Sequence, residues 1–276
     1  MERKLLHVYR NTALGRETLL QSAWFCNQTG CSLEVYVPQH AQFLLYFEHS
    51  VATVSLDSSY LRDGASAVER VRDIAAELDC AVSFVEPRDF TAPTLPNLPS
   101  DYTFVACPRS MSERSSKLHL GHIGPRVREI VKTAPFPVLL PTPIYKPWHS
   151  ITALFGGSEN SVRALMRARR LSRDAGVPLS IFSWSDGKGR DGFERLLAPT
   201  GLLEEVERGD VEWVFAETET FVEGLFDISR NALLAVGAYG HGRVREALFG
   251  SKLEAIQGEI PNNLLVVGPL AAGSAA

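Results

Sequence analysis

Short runs of aliphatic and β-branched residues alternate along this chain with longer stretches in which apolar residues recur every three or four positions. The short runs predict buried strands, and the longer stretches predict amphipathic helices. In the second half the predicted strands cover residues 151–155, 179–184, 211–216, 232–236 and 263–268. Strands separated by helices are typical of βαβ units, so we expect an open α/β domain with a parallel sheet of five strands.

Four helices are predicted between these strands, at residues 159–175, about 193–208, about 220–230 and 251–257. The first has an apolar face that includes Ala164, Leu165 and Ala168, and Gly176 is expected to end it. In the third helix, Phe226 is expected to face inward with its apolar neighbours.

The first half repeats this plan at a constant offset of 146 residues, at which Gly30 matches Gly176 and Leu33 matches Leu179. Near the end of each half the offset is 126, since Gly124 matches Gly250. The chain is therefore predicted to be a tandem duplication with a longer first copy. The predicted domains are residues 1–145, which contain a hairpin-like insertion at 42–57, and residues 150–276. In the first copy, the prolines at 93, 96 and 99 exclude a regular helix in the segment around them.

Composition places the chain among ordinary soluble globular proteins, with 276 residues, 45% of them hydrophobic, and a formal charge of −4. The mild acidity argues against nucleic-acid and anionic-membrane partners, which usually require a basic surface. No apolar run reaches the roughly 18 to 20 residues of a membrane span, and no secretory signal is visible. We therefore expect a cytoplasmic location.

Four cysteines lie among apolar neighbours without CxxC spacing, which predicts buried free thiols: Cys26, Cys31, Cys80 and Cys107. Alternatively, His119, His122 and Cys107 could be ligands of a zinc ion, but a structural zinc site needs four ligands and the sequence offers no second ligand pair. No metal site is therefore predicted.

The pattern with the clearest chemistry follows the apolar run 232–236. Gly237-Ala-Tyr-Gly240 is followed by nine residues and then by Gly250-Ser251. Glycines allow a loop to bring its backbone N–H groups close to an anion, and a helix starting at Ser251 would direct its positive end to the same place. The same residues have a purely structural interpretation, because Ser251 and Glu254 form a capping-box pattern.

This spacing, with the sequences Ala238-Tyr-Gly-His-Gly-Arg243 and Pro261-Asn-Asn-Leu-Leu-Val-Val-Gly268 around it, resembles the universal stress protein family. The resemblance is good over residues 150–269 and only topological over 1–145. It implies two tandem open five-stranded parallel sheets with helices on both faces, the fold of the adenine nucleotide alpha-hydrolase-like proteins. It also implies a bound ATP or AMP, with Mg²⁺ as a companion of ATP, at the carboxyl ends of the first and fourth strands.

The resemblance assigns roles to individual residues. The N–H groups around Gly240, Gly250 and Ser251 would hold phosphates, and Gly237 would let the ribose approach the strand end. Two further loop residues, His241 and Arg243, would add charge-assisted contacts or remain solvated. Nucleotide-binding members usually have an acidic residue at the end of the first strand to meet the adenine. Gly156 takes that place in this chain.

The first copy has lost this pattern. Cys107-Pro-Arg-Ser110 stands where the first two glycines would be, and Pro125 replaces the serine. No family-type nucleotide site is expected in residues 1–145. Nearby cations are expected to form a solvated charged surface, with binding of another anion as the alternative: Arg109, Arg114, Lys117, Arg126 and Arg128.

The sequence thus predicts a stress-response regulatory protein that binds an adenine nucleotide in its second domain only. The alternative is a degenerate scaffold that binds protein partners or another small ligand. An enzyme is the weakest prediction, with at most weak nucleotide hydrolysis, because no catalytic residues can be identified. Pairing of the segment 137–140 with 264–267 would make an intramolecular pseudo-dimer, and a homodimer is also open.

Overall fold

The computed structural model describes residues 2–47, 50–61, 63–87, 89–99, 101–109, 111, 123–185, 187, 189–239, 256 and 258–271. The chain divides into two compact units, the first ending at Pro147 and the second running from Trp148 to Pro269. Of the predicted helix at 251–257 only Ile256, which is helical and buried, is described, and most of the glycine loop lies outside the described residues.

Strands and helices alternate in the first unit, as the apolar pattern predicts. Its strands are β1 (Lys4–Val8), β2 (Ser32–Tyr36), β3 (Gln42–Phe47), β4 (Ser50–Ser55), β5 (Val82–Phe84), β6 (Asp89–Ala92), β7 (Leu95–Leu98), β8 (Phe104–Ala106) and β9 (Val138–Leu140). Its helices are α1 (Ala13–Thr29), α2 (Gly64–Ala76) and α3 (Pro125–Thr133), with a short 3₁₀ turn at Ser58–Tyr60.

The main sheet of this unit is parallel and has the order β9-β8-β1-β2-β5. A second sheet, of order β4-β3-β7-β6, occupies the segments where the alternation predicts a hairpin and where the prolines exclude a helix. Its apolar side chains Phe43 and Phe47 pack edge-to-face on Tyr36 and Phe136. The Pro-rich segment therefore forms strands that enlarge the insertion.

The second unit has a parallel sheet of order β12-β11-β10-β13-β14. Its strands are β10 (Ser150–Leu154), β11 (Leu179–Trp184), β12 (Glu212–Ala216), β13 (Ala232–Gly237) and β14 (Leu264–Val267). Its described helices are α4 (Glu159–Ala175), α5 (Arg190–Leu197), α6 (Leu202–Glu207) and α7 (Phe221–Leu225), with a 3₁₀ turn at Ala198–Thr200. Every residue of β13 and β14 is buried, as expected for a sheet covered on both faces.

Two predictions about these helices are wrong. The helix expected at about 193–208 is broken into α5 and α6, because Pro199 lies in the 3₁₀ turn and Gly201 adopts a φ of 72°. The helix expected at 220–230 ends at Leu225, and the side chain of Phe226 is exposed. The short α7 owes its start to a capping box between Thr220 and Glu223.

The first helix of each unit has the same design. Thr12 caps α1 by accepting from the Gly15 N–H, and Ser158 caps α4 by accepting from the Ser161 N–H. Both helices span 17 residues. Gly30 and Gly176 end them with φ of 66° and 63°, in the left-handed region where glycine is favoured.

The predicted α/β class with parallel sheets of five strands is confirmed within the described residues of each unit. No helix in the described ranges combines the length and apolar character that a membrane crossing would need.

Candidate functional site

The crevice of the second unit lies where β10 and β13 end. These strands are adjacent and parallel, with Leu154 paired to Val236. After β10 the chain crosses to β11 on one side, whereas β13 is followed by β14 on the other side. Open α/β sheets bind ligands at this kind of switch point, outside the carboxyl ends of the strands. Two residues of the predicted site, Gly156 and Gly237, are described by the structure, and both lie at this switch point.

Gly237 is held tightly by the first turn of α4. A Cβ on Gly237 would lie 2.3 Å from the carbonyl carbon and oxygen of Asn160 and 2.5 Å from the Ser161 nitrogen. No real Cβ tolerates backbone atoms at these distances, so helix α4 can approach β13 only because residue 237 is glycine. This close packing gives Gly237 a structural role that operates without any ligand.

Asn160 fixes the same approach by a hydrogen bond, and the sequence analysis did not identify it. The Asn160 side chain is buried, and its Nδ2 donates a hydrogen bond to the Ala238 carbonyl oxygen at 2.5 Å. The bond ties the first turn of α4 to the residue that follows β13. An asparagine just inside a helix start is a weak sequence signal, and only the packing shows that it supports the entry to the glycine loop.

The loop itself begins with a left-handed residue, since Tyr239 has a φ of 56°. Gly240, His241, Arg243, Gly250 and Ser251 follow and lie outside the described residues, as does the capping box at Ser251. Their predicted phosphate contacts therefore stay predictions. The described residues place only the start of the loop, directly beyond the end of β13.

Gly156 stands in open space. A Cβ at this position would meet no atom of the described residues within 4 Å, and Gly156 is exposed. The neighbouring Gly157 is the constrained one, with a φ of 77° and a Cβ position only 2.7 Å from the Leu196 Cδ1. The described residues therefore leave room for an acidic side chain at position 156.

Few acidic side chains among the described residues lie near the crevice. Glu159 in the first turn of α4 is mostly exposed and pairs with Arg163 at 2.5 Å. No group of three or more His, Cys, Asp or Glu among the described residues could hold a metal ion.

The cysteines are free and buried, as predicted. Burial raises the pKa of the Cys107 thiol to about 12. Burial also raises the pKa values of Cys26 and Cys80. These thiols are protonated at neutral pH, and a thiol rather than a thiolate is a poor nucleophile.

A cavity of 270 Å³ lies elsewhere in the second unit. Its lining includes Thr152, Ser180 and Glu212 from three strands and the exposed Phe226. It also includes the segment 227–229, which precedes β13, whereas the glycine loop starts after the carboxyl end of that strand. This cavity is therefore separate from the predicted nucleotide site.

The equivalent crevice of the first unit differs from its prediction in one respect. Arg109, expected in a solvated surface, is buried with 7% of its area exposed. Of the other cations predicted there, Arg126 is exposed and Arg128 is half-buried, and Arg114 and Lys117 lie outside the described residues. Arg109 follows the last residue of β8 by three positions, so it lies beyond the carboxyl end of that strand, where neighbouring residues bury it.

No protein-family model and no curated protein matches this sequence. Solved structures do match the fold. A universal stress protein from Archaeoglobus fulgidus DSM 4304 is 13% identical with a TM-score of 0.61, and the match covers 97% of each chain. A protein from Pseudomonas aeruginosa UCBPP-PA14 assigned to the universal stress family is 14% identical with a TM-score of 0.56, covering 98% of this chain and 94% of that one.

A third match is the cytoplasmic domain of a prokaryotic cation chloride cotransporter, at 11% identity and a TM-score of 0.50, covering 100% of this chain and 98% of that one. Identities this low establish a common fold and leave the function open. The chain therefore has the α/β fold of the universal stress proteins.

Proposed function

We propose that this protein is a cytoplasmic stress-response regulator, a tandem member of the universal stress family that binds ATP or AMP in its second unit. The observation that carries the proposal is the position of the glycine motif. Gly237, Gly240, Gly250 and Ser251 keep the family spacing, and the first of them, Gly237, ends β13 at the switch point beside β10. Backbone N–H groups of such a loop are suited to phosphate oxygens.

Three shared features of the two units support the tandem character of the proposal. Both have the same strand order, both first helices span 17 residues, and both end at a left-handed glycine. Strand registers agree as well, since Leu5 pairs with Leu33 and Ile151 pairs with Leu179 at the 146-residue offset. The internal pseudo-dimer and a homodimer both stay predictions.

Calorimetric titration of the full chain with ATP and AMP tests nucleotide binding. We expect saturable binding that disappears in the double variant Gly240→Val, Gly250→Val, because the two side chains would keep phosphates away from the backbone. Gly192→Val is the matched control, since a Cβ there meets no described atom within 4 Å. A wild type that binds neither nucleotide at millimolar concentration, or binding that the double variant retains in full, contradicts the proposal.

Gly156 provides a test of where the base lies. Gly156→Asp should leave the free energy of unfolding within about 0.5 kcal/mol of wild type, because no described atom would contact the new Cβ. The new carboxylate should increase the preference for ATP over GTP, measured by paired titrations. Gly156→Asn has nearly the same shape without the charge and serves as the control. An unchanged preference in the aspartate variant would place the base elsewhere.

A scaffold that binds another ligand is the second candidate, and two observations favour it. The acidic partner for adenine is missing at Gly156. In addition, the close contact of Gly237 with α4 accounts for one glycine of the motif without a ligand. The titration above separates the two candidates, since a scaffold of this kind would bind neither nucleotide.

A further inference from the structure

Two arginines lie at the carboxyl ends of neighbouring strands in the first unit. The last paired residues of β1 and β8 are His7 and Ala106, and Arg10 and Arg109 each follow three residues later. Both side chains are buried, with exposed fractions of 3% and 7%. The sheet therefore brings two buried arginines to the same end of neighbouring strands, at the place where open α/β sheets bind ligands.

Arg10 occupies a position of special interest. At the 146-residue offset that relates the two halves, it matches Gly156, where nucleotide-binding family members carry an acid. A positive charge at this point disfavours an adenine site of the family type and favours an anionic ligand. The sequence offset of 146 residues could have identified Arg10 as a candidate site residue. The burial of the Arg10 side chain could not be predicted from that offset.

Helix α1 fixes the backbone of Arg10. A Cβ on Gly15 would lie 1.6 Å from the Arg10 carbonyl oxygen, so the first turn of α1 packs directly against this residue. The first turn of α1 contains no acidic side chain. The partial positive charge of this helix end therefore adds to that of the guanidinium groups.

Tyr60 supplies a neutral donor beside them. Its ring is buried, and the Arg10 Cζ lies 5.4 Å from the ring centroid, within range of a cation–π contact. Among the described residues the Tyr60 hydroxyl has no hydrogen-bond partner. A buried hydroxyl without a partner is costly, and a bound ligand would remove that cost.

In the described part of the first unit, one acidic side chain acts on Tyr60. Asp57 lies near Tyr60, and its Oδ1 already accepts hydrogen bonds from the Ser59 N–H, at 3.0 Å, and from the Ser59 hydroxyl. Burial lowers the pKa of Arg109 to about 10, so its guanidinium is still charged at neutral pH. Each guanidinium has five N–H donors, so one that contacts the rest of the chain still has donors for a ligand.

We propose that the crevice of the first unit binds a phosphate group, with Arg10 and Arg109 pairing to its oxygens and the Tyr60 hydroxyl donating a further hydrogen bond. Two fixed guanidinium groups and a neutral donor match a doubly charged tetrahedral oxyanion. The phosphate is either inorganic or part of a small ester. This site is independent of the glycine loop and does not require the nucleotide proposal.

The test uses the full chain carrying Gly240→Val and Gly250→Val, so that the loop of the second unit cannot contribute. Inorganic phosphate is titrated by calorimetry at constant ionic strength, and AMP is titrated separately. We expect saturable phosphate binding, weakened about tenfold or more by Arg109→Gln or Arg10→Gln, because charged hydrogen bonds are lost. Tighter binding of AMP than of phosphate would identify the ester as the source, and the reverse would identify the free ion.

Tyr60→Phe keeps the proposal testable if an arginine variant fails to fold, since it removes only a hydroxyl that has no partner among the described residues. It should weaken phosphate binding several-fold while the thermal midpoint without phosphate stays the same or rises. Arg72→Gln, at an exposed arginine of the same unit, is the matched control and should bind as before. Absence of saturable binding, or equal affinity in Tyr60→Phe and the folded arginine variants, overturns the proposal.

Discussion

Replacing Gly237 with alanine should destabilise the second unit by about 3 kcal/mol or more, although the change adds a single methyl group. The new Cβ would lie 2.3 Å from the Asn160 carbonyl carbon and oxygen. Those atoms belong to the backbone of α4, whose first turn is tied to Ala238 by the Asn160 side chain. Helix and strand must therefore separate, because no flexible side chain can move away instead.

The matched control for this substitution is Gly156→Ala, at the end of the adjacent strand. Its Cβ meets no atom of the part of the chain that the structure describes within 4 Å, so we expect the free energy of unfolding to change by at most about 0.5 kcal/mol. Urea denaturation of both variants, compared with wild type, measures the difference. Equal stability of the two alanine variants would show that α4 does not pack against β13 as described. The result also bears on the nucleotide test, because a Gly237 variant would lose binding through unfolding alone.

The second large effect is a loss of stability in mild acid caused by His7. This side chain is fully buried, and burial lowers its pKa to about 3. The Ser22 hydroxyl donates to the Thr18 carbonyl at 3.2 Å, so it accepts at 2.9 Å from the His7 Nδ1. The native state thus holds a neutral imidazole with a proton on Nδ1.

In the unfolded chain a histidine has a pKa of about 6.5. Between pH 6.5 and 3 the unfolded state therefore binds a proton that the native state does not, so stability falls as the pH is lowered. At pH 5 the difference is about 2 kcal/mol, from 1.36 kcal/mol per pH unit. Above pH 6.5 both states are neutral and His7 contributes no pH dependence.

Urea denaturation at pH 7 and pH 5 measures this effect by comparing wild type with His7→Leu. The leucine variant should lose about 2 kcal/mol less than wild type between the two pH values, whatever its stability at pH 7. His149→Gln removes an exposed histidine and should keep the wild-type loss. If His7→Leu loses as much as wild type, the imidazole of His7 is protonated in the native state.

Local sequence patterns predicted strands and helices correctly where the capping residues and the apolar spacing agree. Helix α4 begins and ends where the sequence predicts, because Ser158 is a good N-cap, Gly176 is a good C-cap, and the apolar residues between them share a face. The break between α5 and α6 was missed because the apolar spacing continues across Pro199 and Gly201, and these two residues outweigh it.

The candidate site was predicted only in part. Spacing identified the glycines and their place after the fourth strand, because a loop that binds phosphate must have small residues at fixed intervals. It did not reveal that Asn160 and Gly237 meet, since a contact between residues so far apart in the chain has no local signal. It also placed Arg109 in a solvated surface, because charged residues are rarely buried.

The sequence by itself determined that this protein has parallel α/β units, that the second half carries a glycine loop, and that its cysteines are buried thiols. Those properties follow from periodicity, capping residues and residue type, which act over a few positions. Only the tertiary structure decided that Gly237 is needed for the approach of α4 and that Arg10 and Arg109 are buried at one sheet edge. Both depend on how close distant segments come, and that distance is set by packing of the whole unit.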